Sequence, residues 1–214
     1  MPARRRATSR RSVDLRPRKR PRQERSRRMN EVILEAAVRV LRRQGATGFT
    51  TTRVAEVAGI SVGSLYQYYP NKASLLFRVH QQEDERTWGE IEGILEEVET
   101  PPRERVVRAI DQFFETEADE AELRRALQDA AVLYRDSREF GAHMSRMVER
   151  VSRFMNDAWP ARRVRSETLE FASRFVVAVV SATAEEVTNR GTDRAELRKW
   201  SRTCSAMLCD HFGL

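Results

Sequence analysis

Three of the four tyrosines in this 214-residue chain, Tyr66, Tyr68 and Tyr69, fall within four residues of one another. They follow the small, polar run Ser61-Val62-Gly63-Ser64 and precede Pro70 and Lys72. Tyrosine hydroxyls commonly bond phosphate oxygens, while their rings pack against sugars or thymine methyls. Groups that break covalent bonds are scarce by comparison. His80, His143 and His211 fall on separate predicted helices, with no ligand spacing such as HExxH. No metal site and no cofactor are therefore expected. Cys204 and Cys209, five apart, suit neither a CxxC redox pair nor a zinc site and read as free thiols of a reducing cytosol. There is no Gly-rich phosphate loop and no GxSxG elbow, so catalysis is not expected.

The elements that must hold the tyrosines are short helices. Apolar residues recur at three- and four-residue steps from Ser26 to Gln44 (Val32, Ile33, Ala36, Ala37, Val40, Leu41), and Gly45 ends that run. Thr51 or Thr52 can cap a following short helix whose apolar side is Val54, Val57 and Ala58. Gly59 stands where a tight turn needs positive φ, Ile60 plugs the core, and Ser61 caps the next helix. Val62 and Leu65 face inward there, and Pro70 stops the helix by forcing Tyr69 out of helical geometry. A helix packed before two short ones joined by a glycine turn describes a helix-turn-helix unit, whose last helix enters the DNA major groove. On that helix Tyr69 joins Val62 and Leu65 on the inner face. Tyr66 and Gln67 lie off it, with Tyr68 at its edge, so Tyr66 and Tyr68 are the predicted DNA contacts.

Charge placement agrees with a polyanionic partner. The chain carries +7, yet residues 1–28 hold thirteen Lys or Arg against Asp14 and Glu24, a balance of +11 that leaves −4 for residues 29–214. A basic leader on a mildly acidic body favours nucleic acid over a membrane, because the leader lacks an amphipathic apolar stripe. Its Arg, Ser and Pro content predicts disorder in the free protein. Arg16 to Arg28 are expected to extend the footprint into the adjacent minor groove. The longest apolar run, Phe175 to Ala182, is too short to span a bilayer, and no secretory signal is read at the N-terminus.

The stretch TTRVAEVAGISVGSLYQYYPNKASLL closely resembles the DNA-binding signature of the tetracycline-repressor (TetR) family of bacterial regulators, with the likeness running from about Arg27 to Leu76. Tyr69 stands where phenylalanine is commoner. The resemblance implies an all-helical homodimer with an N-terminal DNA-reading domain and a C-terminal effector and dimerisation domain, repressing from a palindromic operator until a small molecule binds. It implies roles position by position. Thr51 or Thr52 would contact phosphate, Val62, Gly63 and Ser64 would approach base edges, and Tyr66 and Tyr68 would hold the backbone. Gln67 would be available to base or phosphate, and Lys72 would pair with a phosphate. Val62, apolar where relatives often carry a polar residue, suggests a thymine methyl as its partner.

Everything beyond about residue 80 reads as helix, giving an all-α fold of about nine helices. Apolar positions mark helices around Trp88 to Val98, Val106 to Phe114, Leu123 to Tyr134, Phe140 to Met155, Leu169 to Val187 and Leu197 to Leu208. The expected organisation is a basic arm over 1–24, a helix-turn-helix domain over 25–78 and a ligand-binding and dimerisation domain over 79–214. Phe113, Phe114, Tyr134, Phe140, Met144, Met147, Phe154 and Phe175 are candidates to line an apolar pocket, each with plain core as the alternative. By family analogy the last two helices, Ser166 to Asn189 and Thr192 to His211, form the homodimer interface, with Ala178, Ser181, Ala182 and Ala184 small enough for close packing. The expected setting is the bacterial cytoplasm, at the nucleoid. The alternative is a DNA-binding protein of the same fold governed by a protein partner, or acting architecturally, without a small-molecule inducer.

Overall fold

The computed structural model of the chain describes residues 24–158 and 166–214. The basic arm before Glu24 lies outside the described residues. Among the described residues there are nine α-helices and no strand: α1 (Glu24–Gly48), α2 (Thr51–Ala58), α3 (Val62–Tyr68), α4 (Lys72–Leu95), α5 (Pro102–Asp119), α6 (Ala121–Ala131), α7 (Arg138–Ala158), α8 (Ser166–Asn189) and α9 (Arg194–Phe212). The all-α architecture expected from periodicity is the one found.

The N-terminal elements are cut by local chemistry. Gly45 takes φ 62°, ψ −174° and breaks the helical geometry of α1 there. The cap of α2 is Thr50, whose hydroxyl accepts from the Arg53 amide at 3.1 Å; it is neither Thr51 nor Thr52, both of which lie inside the helix. Gly59 closes α2 in the left-handed region at φ 68°, which a side chain would resist. Ser61 caps α3, accepting from the Ser64 amide at 3.0 Å. Tyr69 turns extended ahead of Pro70, and Asn71 and Ser74 form a reciprocal capping box at the start of α4.

Farther on, the structure corrects the pattern in several places. The helix expected around Trp88 is not separate: it is the second half of α4, which starts at Lys72, because no residue between Val79 and Trp88 breaks a helix. That helix closes at Leu95, so Val98 stands in the following turn, exposed, instead of on an apolar stripe. Val32 and Val57 are also exposed on their helices. Asp193 caps α9, accepting from the amides of Ala195 and Glu196.

Two apolar clusters hold the fold. The first joins α1, α2, α3 and the start of α4 to Leu123, Ala126, Leu127 and Ala130 of α6 and to Tyr134 just beyond it. The helix-turn-helix unit therefore shares its core with a helix of the expected C-terminal domain. The second joins Ile110 and Phe114 of α5 to Ala184 and Val187 of α8 and to Leu197, Cys204 and Leu208 of α9. Ala184 is thus core, whereas Ala178, Ser181 and Ala182 are exposed. Helices α8 and α9 leave large apolar side chains uncovered, notably Phe171 at 70% and Met207 at 69% exposure, with Phe175 stacked on Phe171.

Candidate DNA-reading face and effector cavity

The face of the helix-turn-helix unit is built from hydroxyls and bare backbone. Leu65, wholly buried, roots α3 in the first core, and Val62 packs partly against it. The opposite side presents Gly63, Tyr66 and Gln67, with Ser64 half-buried beside them. The Tyr66 hydroxyl lies 3.1 Å from that of Thr51 at the start of α2, so the two expected phosphate contacts meet as one exposed pair, next to exposed Thr52. Ser61 and Ser64 hydroxyls sit 2.8 Å apart. A Cβ placed on Gly63 would meet only Ser61 Oγ, at an ordinary 3.8 Å. Packing within the chain therefore does not demand glycine there, and what its absence of side chain provides is open surface.

The other two tyrosines and Lys72 are turned toward the protein. Tyr69 is buried, and its hydroxyl donates to Asn30 Oδ1 at 2.6 Å. Burial raises the Tyr69 pKa well above its ordinary 10.0, opposed by the nearby Arg78 charge and the Asn30 hydrogen bond. Tyr68 is 9% exposed and belongs to the first core, not to the edge beside Tyr66, and Ser26 Oγ of α1 reaches its hydroxyl at 3.4 Å. The Lys72 ammonium donates to the Ala46 carbonyl at 3.1 Å and lies 5.7 Å from the Phe49 ring centre. Burial lowers its pKa. As placed, Tyr68 and Lys72 fasten α3 and α4 to α1.

A cavity of about 390 Å³ lies among α4 to α9. Of the eight side chains expected there, Phe113, Phe140, Met144, Met147 and Phe154 line it. Phe114 and Tyr134 are core instead, and Phe175 is on the outer face of α8. Sequence reasoning missed Trp88, Ile91 and Leu95 of α4, Val176 and Val180 of α8, and Leu208 of α9, which complete the apolar wall. Their spacing marked them as buried, but periodicity does not separate a cavity wall from core.

One part of the wall is polar: His80, Asp84, Thr87, Glu117, Arg124 and Gln128. Arg124 Nη2 donates to Thr87 Oγ1, and Nη1 lies 3.6 Å from Asp84 Oδ1. Its Nε is 2.9 Å from Glu117 Oε1 yet not aligned for a hydrogen bond. Burial raises the Glu117 pKa against the pull of Arg124. For Asp84 burial acts upward too, but hydrogen bonds from His143 and His80 and their charges outweigh it and hold the carboxyl well below its usual range. Histidines read as separate in sequence are thus brought together with an aspartate. The i,i+4 spacing of His80 and Asp84 was the only local signal.

Likeness to known proteins follows the same division. The sequence model described as "Bacterial regulatory proteins, tetR family" matches residues 33–79, which cover most of the first core. No curated protein is similar enough in sequence to match. Among solved structures, the fatty acid degradation regulator FadR from Bacillus halodurans superposes with a TM-score of 0.66 at 17% identity, over 84% of this chain and 93% of that one. FadR from Thermus thermophilus, a TetR-family repressor solved with lauroyl-CoA, gives 0.65 at 21% identity, over 84% and 92%. A TetR transcriptional regulator from a Rhodococcus species gives 0.63 at 19%, over 86% and 97%. The helix-turn-helix segment is thus similar in sequence to the tetR family of bacterial regulatory proteins, and the chain as a whole shares the fold of the solved TetR-family regulators.

Proposed function

We propose that this protein is a homodimeric, cytoplasmic repressor that reads a palindromic operator through α3 and leaves it when a small apolar effector enters the cavity. The observation that carries the reading is that two helices belong to both sites. Helix α4 starts beside α3 and lines the cavity from His80 to Leu95. Helix α6 packs against α1 with Leu123 and Ala126 and faces the cavity with Arg124, Leu127 and Gln128. An effector that displaces either helix acts on the DNA-reading core directly, which is the differential contact release requires. On the DNA, Thr51, Thr52 and Tyr66 hold phosphates, Gly63 and Ser64 approach base edges, and Gln67 takes a base or phosphate. Val62 offers an apolar edge to a thymine methyl. Tyr68 and Lys72 keep the face in position.

A fatty acyl chain is the effector class best supported. The wall is mainly aliphatic, aromatic and methionine, the volume is ordinary for a ligand site, and two proteins of like fold are fatty acid regulators, one of them holding lauroyl-CoA. The test has two stages. Selection from random duplexes should enrich a two-fold symmetric site, and lauroyl-CoA should then release that DNA in a fluorescence anisotropy titration. If no symmetric sequence is enriched, the operator reading fails. If DNA binds but no acyl compound releases it or raises the melting temperature, the effector class is wrong.

A further inference from the structure

We propose that His80, Asp84 and His143 form a binding site for one divalent transition-metal ion on the wall of the cavity. His80 and Asp84 lie one turn apart on α4, and His143 comes from α7. Both imidazole Nε2 atoms address the same carboxylate oxygen, Asp84 Oδ2, His143 at 2.7 Å and His80 at 3.3 Å. The three donor atoms lie within 4.8 Å of one another. Donors on a tetrahedral ion with bonds near 2.0–2.1 Å stand about 3.3 Å apart, so small side-chain rotations bring this set into coordination range.

The hydrogen bonding around His80 and His143 is compatible with this geometry. The Tyr134 hydroxyl has one proton and donates it to the Leu127 carbonyl at 3.2 Å. His80 Nδ1 lies 3.4 Å from that hydroxyl and can donate to it in the tautomer that carries the proton on Nδ1. A neutral His80 then turns its Nε2 lone pair toward Asp84 Oδ2, acceptor against acceptor. In that tautomer the Nε2 lone pair is the one a metal ion beside Asp84 would take. The Tyr134 bond is also the kind of outer partner that fixes the tautomer of a metal-bound histidine. His143 is fully buried and faces the exposed Arg146 through Nδ1 at 3.4 Å. Binding through Nε2 moves the ring proton to Nδ1, and the Arg146 side chain gives way.

Two imidazoles and a carboxylate suit Zn²⁺, Co²⁺ or Ni²⁺ better than Mg²⁺ or Ca²⁺. Charge permits it: Asp84 and Glu117 outnumber Arg124 by one at this part of the wall. His80 and Asp84 line the cavity, so the open coordination side meets its contents.

The experiment uses full-length, tag-free, chelator-treated protein carrying Cys204→Ser and Cys209→Ser, which removes the thiols as competing ligands. Equilibrium dialysis against Zn²⁺ should give one ion per chain, and Co²⁺ should give visible bands without thiolate charge transfer. His80→Gln and Asp84→Asn, each checked for native helicity by circular dichroism, should each weaken Zn²⁺ affinity about 100-fold, and Zn²⁺ should no longer raise their melting temperatures. Unchanged stoichiometry and affinity in both variants would overturn the proposal. So would an absence of Zn²⁺ binding to the parent protein, which would leave the cluster as a proton-bridged seat of α7 on α4.

Discussion

Tyr66 separates packing from contact within one side chain, since its ring flanks α3 while its hydroxyl stands in the open pair with Thr51. Tyr66→Phe should leave the denaturation midpoint nearly unchanged and weaken operator binding by roughly 1 kcal/mol, about fivefold, in a DNA titration. Equal affinity would make the ring a packing group only. Gly63 supplies the converse case. Gly63→Ala should leave stability unchanged or raise it by up to about 1 kcal/mol, because alanine is the better helix former and finds room. The added methyl should nevertheless reduce operator affinity by tenfold or more, and full affinity would show that DNA does not approach this backbone. The backbone frame of the candidate face was legible in sequence: Gly59, Ser61 and Pro70 each act through local backbone chemistry visible in the string. Tyr68 was not. Three residues on from Leu65 it stands on the same face, and only the approach of Ser26 from α1 settles that its edge is covered.

At the scale of elements, sequence shows where helices start and stop better than what they touch. Helix α8 matched its expected bounds, yet its apolar residues cover more than one face, so periodicity could not tell that Val176 turns to the cavity and Phe175 to the outside. The joining of α6 to the helix-turn-helix core was equally hidden, because it depends on sequence-distant contacts. One ion cluster reports on that joint. Glu120, between α5 and α6, pairs with Arg42 of α1 and with Arg86 of α4, the latter at 3.1 Å. Glu120→Gln should cost on the order of 1 kcal/mol in urea denaturation, since both arginines are partly exposed. It should also shrink the effector-induced change in DNA affinity, measured with and without lauroyl-CoA. An undiminished change would show that α6 does not carry the coupling.

For the molecule as a whole, assembly and stability each have a measurable handle. Phe171, Phe175, Ala178 and Ala182 follow one stripe of α8, and Met207 and Trp200 lie exposed on α9. Phe171→Asp together with Met207→Asp should shift the protein from dimer to monomer in sedimentation and abolish tight operator binding; an intact dimer would place the interface elsewhere. Stability should fall at high pH. Burial raises the pKa values of Tyr69 and Tyr134, so folding holds protons that the unfolded chain releases near pH 10. Their contribution is complete below about pH 10 and declines above it, by about 1.4 kcal/mol per pH unit per tyrosine until the buried groups themselves ionise. Tyr69→Phe should remove one proton's share of that slope, and an unchanged slope would mean that the unfolding steps lie elsewhere. The unbroken run of α4 has a mechanical consequence. Twenty-four residues make a rod about 36 Å long, clamped at Lys72 and bordered by the cavity beyond His80. Tilting such a rod about its middle by ~5° moves each tip by ~1.5 Å. In the proposed dimer, a pair of such rods related by a two-fold axis would alter the separation of two recognition helices by twice the displacement of one, so a small swelling of the cavity would be read at the DNA as a change of gauge.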